Sequence, residues 1–185
     1  MEKERCFWAN PKNPLYIKYH DEEWGRPVHG DGELLELLIL ESFQAGLSWE
    51  CILNKREAFR EAFDGFDRDR IIAYDNAKVE ELMANPGIIR NRAKINAAIS
   101  NTKVFKAIQE EYGSFDAYLR RFVPDNVVYD HVSTVSPVSD ALSADLRKRG
   151  MKFVGSTTIY AFLQSIGVVN AHCPDCWLYA APNSN

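Results

Sequence analysis

The two ends of the chain carry cysteine and histidine residues whose spacing suits a metal ion. Near the C-terminus, His172 and Cys176 are separated by three residues, a spacing found between zinc ligands. Near the N-terminus, Cys6 and His20 offer the same two ligand types. Four protein ligands would fill a tetrahedral site, so the ion would stabilise the fold and leave no open position for catalysis. Two alternatives stay open: Cys173 could replace either C-terminal ligand, or Cys6 could be an ordinary buried residue.

Glu41 is a carboxylate at the end of the most apolar helix that the sequence predicts, where it would be partly desolvated. Aromatic residues stand near it and in the N-terminal stretch: Trp8, Tyr16, Tyr19, Trp24 and Trp49. Such rings can stack on a flat cationic purine while a carboxylate meets its positive edge. The alternative is a Glu41 side chain exposed at a helix end, which is the commoner position of a lone glutamate.

A tight turn between two helices is predicted within residues 83–94. Pro86-Gly87 would end the first helix, and the two apolar residues that follow would anchor the turn. Backbone N–H groups at a helix N-terminus can receive a phosphate oxygen, and glycine allows a close approach. The basic residues that follow are Arg90, Arg92 and Lys94. The segment therefore predicts a turn that can hold a phosphate, with an ordinary helix–helix turn as the alternative. It resembles the helix-hairpin-helix motif of DNA repair proteins, which implies contact with the DNA backbone rather than with the base sequence.

The composition is that of a folded protein with a sizeable core. The chain has 185 residues, of which 46% are hydrophobic and 12% aromatic, which suits one domain or two closely joined lobes. Its net charge of −4 argues against a general nucleic-acid coat protein. Neither a secretory signal nor an apolar run of transmembrane length is visible, so we expect a cytoplasmic protein without a membrane partner.

Helical periodicity dominates the sequence and strand signals are scarce, so we expect an all-α fold. The expected helices cover residues 33–45, 67–74, 76–84, 92–111, 140–149 and 156–166, with two more that begin after Ser48 and after Ser114. The residues expected to cap helix N-termini are Ser48, Asn76, Ser114 and Ser139. Residues 1–32 and 168–185 lack such periodicity and are expected to be loop-like.

Short segments along the chain match the sequence pattern of one protein family. These segments are Arg5-Cys6 with Trp8, 14–17, 19–21, 23–25, 40–41, 44–49, 55–57, 87–90, 139–143, 148–150 and 152–155. With them the sequence resembles the bacterial 3-methyladenine DNA glycosylase I family along nearly its whole length. The run from Gln44 to Trp49 and the order of the whole set make the resemblance specific.

The resemblance implies a single compact unit with a helix-hairpin-helix glycosylase core and a zinc-binding lobe made from both termini. The core lobe would cover about residues 33–137, and the zinc-binding lobe about residues 1–32 plus 138–185. The family's structural zinc ligands fall on Cys6, His20, His172 and Cys176. Cys173 departs from the pattern as an additional thiol beside a ligand.

The activity implied by the resemblance is base-excision repair of alkylated double-stranded DNA. The enzyme would flip out 3-methyladenine and hydrolyse its N-glycosidic bond, leaving an abasic site and the free base. Glu41 would hydrogen-bond the methylated base as the catalytic residue, acting through recognition rather than proton donation, because a cationic base leaves as a neutral molecule. Trp49 and Tyr19 would stack on or contact the base. The remaining pocket-lining residues would be Trp8, Tyr16 and Trp24.

The implied DNA contacts lie in two turns. Gly46-Leu47 would enter the space that the flipped base leaves. The residues that would contact the DNA backbone are Gly87, Ile88, Arg90, Arg92 and Lys94. Asn91 stands where related bifunctional enzymes carry a nucleophilic lysine, which favours a monofunctional enzyme. We also expect the protein to be a monomer.

Two other functions remain as alternatives at this level. A non-catalytic module that binds damaged DNA would share the hairpin and the pocket but release no base. A zinc hydrolase acting on small substrates would need an open position on the metal, whereas four protein ligands would fill this site.

Overall fold

The structure is a computed structural model that describes residues 3–179. The parts of the expected zinc-binding lobe at residues 1–2 and 180–185 lie outside the described residues. The helices are α1 (Pro14–Glu22), α2 (Asp31–Gln44), α3 (Trp49–Leu53), α4 (Arg56–Ala62), α5 (Arg68–Ile72), α6 (Asn76–Ala84), α7 (Arg92–Tyr112), α8 (Phe115–Leu119), α9 (Pro137–Lys148) and α10 (Ser156–Ser165), with a 3-10 turn at Asp64–Phe66. Two short strands, β1 (Val128–Tyr129) and β2 (Val169–Asn170), pair in parallel. The expected predominance of helix is confirmed.

Local sequence signals set several of these boundaries. The Ser48 side chain accepts a hydrogen bond from Cys51 N at 3.2 Å, and the Ser114 side chain accepts one from Ala117 N at 2.9 Å, as N-caps do. Gly113 ends α7 with a φ of 86°, a left-handed conformation that favours glycine. These caps confirm the expected beginnings of α3 and α8.

Two expected N-caps are wrong by one and three residues. Asp75, not Asn76, caps α6, because its carboxylate accepts the Lys78 N–H at 2.9 Å. Ser136, not Ser139, caps α9. Ser136 and Ser139 exchange side-chain and backbone hydrogen bonds as a capping box, and a proline follows the cap at a position that suits the start of a helix.

The N-terminal stretch is also more ordered than expected. Residues 1–32 were expected to be loop-like, yet they contain α1, which Asn13 caps and Pro14 begins. Apolar periodicity does not reveal this helix, because the residues that it buries are two tyrosines and a histidine, Tyr16, Tyr19 and His20. The segment after Ser48 is likewise divided into two short helices instead of one.

α2 is the central helix of the core. It is buried from Leu34 to Phe43, and it packs against α7 on one side and α10 on another. One continuous hydrophobic cluster joins residues of both expected lobes, such as Ile95 and Phe162, and the division into lobes stays a prediction. Because α2 is surrounded, its polar residue Glu41 is carried into the interior. Within residues 3–179, no helix is both long and apolar enough to cross a membrane.

Candidate active site and metal centre

The structure brings Glu41 and the five aromatic residues singled out in the sequence around one cavity of about 210 Å³. This volume is below the roughly 300–1,000 Å³ of sites for drug-sized ligands, so it suits a single flat ring. The lining residues are Trp8, Tyr16, Tyr19, Trp24, Glu41, Gln44, Trp49, Ala161 and Gln164. Of these, α1 supplies the two tyrosines, α2 supplies Glu41 and α3 supplies Trp49. The cavity therefore forms where the N-terminal segment closes over the end of the central helix.

The Glu41 carboxyl group is buried, with 3% of the residue exposed. Among the described residues, its Oε2 atom has no hydrogen-bond partner. Burial raises the pKa of Glu41 to about 8. The alternative of a solvent-exposed Glu41 is therefore wrong. A buried acceptor without a partner costs about 1–3 kcal/mol, and that penalty is removed when a ligand supplies a donor.

A donor without a partner lies in the same cavity. Trp49 Nε1 is buried and has no hydrogen-bond partner within residues 3–179. Its ring lies 5.3 Å from that of Tyr19, centroid to centroid, with a tilt of 43°. Burial, followed by the nearby Glu41, raises the pKa of Tyr19. The cavity thus presents an acceptor, a donor and aromatic faces to one ligand.

Two indole rings in contact, those of Trp8 and Trp24, form one wall of the cavity. Trp8 and Trp24 pack edge to face with centroids 4.7 Å apart, and Trp8 also contacts Tyr16 at 5.4 Å. Behind this wall, Trp24 lies 4.7 Å from the ring of His172. The wall of the cavity therefore rests directly on the histidines of the second candidate site.

The four cysteine and histidine residues expected to bind metal form a buried cluster. Their ligand atoms all lie within 4.8 Å of one another in Cys6, His20, His172 and Cys176. The Cys176 Sγ atom is 3.4 Å from His20 Nε2 and 3.6 Å from His172 Nδ1. Zinc bonds of about 2.3 Å to sulfur and about 2.1 Å to nitrogen, at the tetrahedral angle, separate S from N by about 3.6 Å. The cluster can therefore hold a metal ion, and its size fits zinc.

Hydrogen bonds around the cluster orient its ligands. Asp21 accepts a hydrogen bond from His20 Nδ1 at 2.8 Å, which leaves Nε2 facing the cluster. The Arg5 guanidinium binds the same carboxylate and holds the pKa of Asp21 well below its usual range. Cys173 contributes its backbone N–H to Cys6 Sγ at 3.2 Å, while its thiol is not one of the four clustered ligand groups.

The turn between α6 and α7 is held tightly. Gly87 N donates to the Asn85 side chain at 2.8 Å, and a Cβ at Gly87 would lie 3.0 Å from the Cβ of Ala58. Ile88 anchors the turn in the core with 3% exposure. Lys55 Nζ donates to the carbonyl oxygens of Pro86 and Gly87, at 3.1 and 3.3 Å. The sequence did not reveal this lysine contact.

The three basic residues after the turn have different surroundings. Arg90 is exposed, and Arg92 is exposed and paired with Glu80 at 2.6 Å. Lys94 is buried, and its ammonium donates to the carbonyl oxygens of Phe43 and Ala45, at 2.8 and 2.6 Å. The structure therefore leaves Arg90 and Arg92 at the surface and turns Lys94 inward, contrary to the expected backbone contact of Lys94.

The second expected DNA contact lies at the end of α2. Gly46 has a φ of 80°, in the left-handed region that favours glycine. The next residue, Leu47, is 40% exposed and stands between Gln44 and Trp49 in the sequence, both of which line the cavity. An exposed leucine in such a turn can act as a wedge that occupies a gap in stacked bases.

Sequence analysis missed two polar residues of the cavity. Gln44 ends α2 and Gln164 lies on α10, and both line the cavity. Gln44 lies within the most specific matching segment, so its position could have been used. Gln164 has no such signal, because only the packing of α10 against α2 brings it to the site.

The chain is similar to proteins of known function and structure. The family model described as methyladenine glycosylase matches residues 8–179. The protein named DNA-3-methyladenine glycosylase 1 of Escherichia coli strain K12 is 41% identical over 182 residues, which cover 95% of this chain and 97% of that protein. A crystal structure of 3-methyladenine DNA glycosylase I has a TM-score of 0.91 at 43% identity, covering 96% of this chain and 100% of the other. A Staphylococcus aureus enzyme of the same name, whose structure concerns 3-methyladenine recognition, has a TM-score of 0.87 at 35% identity, with coverages of 93% and 95%.

Proposed function

The chain belongs to the methyladenine glycosylase family, and from this premise we propose how its own residues recognise and release the base. It is an enzyme of base-excision repair that hydrolyses the N-glycosidic bond of 3-methyladenine in DNA. DNA is its substrate and the free base its product. The observation that carries the assignment of roles is the buried carboxyl oxygen of Glu41, which lies in a base-sized aromatic cavity and has no hydrogen-bond partner within residues 3–179.

Glu41 and Trp49 select the methylated base. Methylation at N3 gives adenine in DNA a positive charge, and a cation in the cavity stabilises the ionised carboxylate against the desolvation that otherwise disfavours it. Neutral adenine offers no such compensation, so the difference in affinity between the two bases supplies specificity. The faces of Tyr19 and Trp49 enclose the ring, and the other aromatic side chains exclude water from it.

The base must leave the duplex before it can enter this cavity. Leu47 occupies the gap that the base leaves. As the glycosidic C–N bond breaks, its electron pair moves into the methylated ring, which becomes neutral, so no general acid has to protonate the leaving group. Water adds to the sugar carbon at the oxocarbenium-like centre and its proton passes to solvent, so that the abasic sugar and free 3-methyladenine result.

The α6–α7 turn holds the DNA backbone as a helix-hairpin-helix motif. The exposed guanidinium of Arg90 contacts a phosphate. Arg92 gives up its surface ion pair with Glu80 and contacts a phosphate in its place. The turn itself, held by Gly87 and Ile88, keeps the backbone N–H groups close to the DNA. Asn91 caps α7 by accepting the Lys94 N–H at 3.1 Å, and its amide cannot form a Schiff base. We therefore expect a monofunctional enzyme.

The cluster of Cys6, His20, His172 and Cys176 holds a structural zinc ion in this proposal. Two thiolates and two imidazoles at tetrahedral spacing are a donor set that zinc prefers. Four protein ligands leave no open position, so the ion supplies folding energy where both ends of the chain meet. This also argues against a zinc hydrolase.

The roles are tested by single-turnover release of 3-methyladenine from alkylated DNA by the Glu41→Gln variant. We expect a loss of about 10- to 100-fold, the value of one charge-assisted hydrogen bond, with abasic-DNA binding nearly unchanged. Glu33→Gln, an exposed position on the same helix, is the matched control.

An unchanged rate in the Glu41→Gln variant would remove Glu41 from recognition. The same assay separates an enzyme from a non-catalytic module that binds damaged DNA, because such a module would bind the alkylated duplex and release no free base.

A further inference from the structure

The buried ammonium of Lys94 joins the two DNA-contacting turns of the molecule. Lys94 lies in the first turn of α7, and its Nζ atom donates to the carbonyl oxygens of Phe43 and Ala45 at the end of α2. Gly46-Leu47 directly follows Ala45, and Glu41 lies on α2, about half a turn before Phe43. One side chain therefore reaches from the hairpin to the end of the helix that carries the carboxylate, directly before the turn that carries Leu47.

The other end of this connection is the phosphate-contacting turn. The backbone N–H of Lys94 donates to the Asn91 side chain at 3.1 Å, and Asn91 directly follows Arg90. If a bound phosphate displaces the turn, Lys94 moves with it, and the Lys94 ammonium transmits the movement to the end of α2. The contacts run without a break from Arg90 through Asn91 and Lys94 to Ala45.

The position of the Lys94 ammonium at the C-terminal end of α2 explains why this residue is a lysine. The last carbonyl groups of a helix lack partners within the helix, and they carry the negative end of its dipole. Burial lowers the pKa of Lys94, and two short hydrogen bonds to carbonyl oxygens offset that cost. Only 8% of the residue is exposed, so it cannot meet a phosphate itself.

We propose that Lys94 is a positioning residue that sets Leu47 in register with the phosphate grip of the hairpin. The inference rests on the proposed function of the cavity and the two turns. Without the ammonium, the Gly46 turn is free to shift relative to the hairpin, and a shift of about 1 Å in a positioned group can lower a rate by up to about 100-fold. Lys94 therefore acts on the flipped state of the DNA and not on the cavity itself.

The test is a double-mutant cycle on single-turnover base release with Lys94→Met and Leu47→Ala. We expect Lys94→Met alone to lower the rate about tenfold, and to lower it less than twofold when Leu47 is already alanine, because both changes then remove the same wedge. Affinity for free 3-methyladenine, measured by calorimetry, should change less than twofold. Lys103→Met, an exposed lysine on the same helix, controls for lost charge.

Independent effects of the two substitutions on the rate would overturn the proposal. So would a parallel loss of free-base affinity and base release, which is the pattern of general destabilisation. Lys94→Gln, which retains a donor, replaces the methionine variant if the latter melts below the assay temperature. A wild-type protein that released no base would instead contradict the proposed function, so the two failures are distinguishable.

Discussion

Among single residues, Glu41 combines function with a penalty on stability. Its carboxyl group is buried beside apolar and aromatic side chains, and its pKa is raised to about 8. Desolvation makes the ionised Glu41 carboxylate unfavourable in the empty cavity. For the same reason a cationic ligand, which pairs with that carboxylate, binds favourably. Activity and stability should therefore respond in opposite directions when this residue is changed.

The stability of the folded chain should depend on pH through Glu41. Between the ordinary glutamate pKa of 4.5 and the raised pKa of about 8, the folded state keeps a proton that the unfolded state has released. The free energy of unfolding therefore falls as pH rises, by about 1.4 kcal/mol per pH unit within this window from this group. Glu41→Gln lacks this loss, so its Tm should exceed that of the wild type more at pH 8 than at pH 5. Thermal unfolding at both pH values, with Glu33→Gln as control, measures the difference, and equal pH dependence in the wild type and Glu41→Gln would contradict it.

The pH profile of catalysis should show the same group. The methylated base in DNA is cationic without gaining a proton, so kcat/KM should follow the ionised fraction of Glu41 in the free enzyme. We expect kcat/KM to rise with pH up to about 8 and to level off above it. Steady-state rates on alkylated DNA between pH 6 and 9 give the profile. A Glu41→Gln variant that kept the same pH dependence would assign the titration to another group.

For individual elements, the sequence predicted helices well where caps and periodicity agree, and less well where tertiary contacts decide. The bounds of α6, α7 and α10 agree with the expected ranges to within about a turn, because Gly113 and other end signals are local. α1 was not expected, since its stability comes from the packing of Tyr16 and Tyr19 rather than from an apolar pattern of its own.

The candidate site was predictable to a similar extent. Residue types and family resemblance indicated the aromatic cavity and the metal cluster before the fold was known. The inward position of Lys94 was not predictable, because a lysine after a turn has the same sequence signal whether it meets a phosphate or a carbonyl group. Gln164 was missed because only the packing of α10 places it at the cavity.

In the whole molecule, the cluster of two cysteines and two histidines joins the two ends of the described chain. Cys6 and His20 come from the first segment, and His172 and Cys176 from the last, so an ion there closes a loop that contains nearly all of the fold. Closing a long loop restricts the unfolded chain more than closing a short one. The contribution of the ion to stability should therefore be global rather than local.

Removal of the metal should lower stability and base binding together. Because Trp24 lies between His172 and the cavity, loss of the ion should loosen the cavity wall as well as the termini. We expect chelation to lower the Tm by more than about 5 °C, the effect of a few kcal/mol in a chain of this size, and to weaken binding of free 3-methyladenine. Thermal unfolding and calorimetry, before and after chelation and again after zinc is restored, measure both effects. A chelated protein with unchanged Tm would contradict a structural zinc site.

The two indole rings of the cavity wall stand between the cluster and the base site. Trp8 lies 5.2 Å from the ring of His20, Trp24 lies 4.7 Å from that of His172, and both line the cavity on their other side. The fluorescence of Trp8 and Trp24 should therefore respond to two separate events, metal binding at the cluster and base binding in the cavity. The protein carries its own optical indicator, in which quenching by a bound purine and a spectral change on metal exchange can be followed without any added dye.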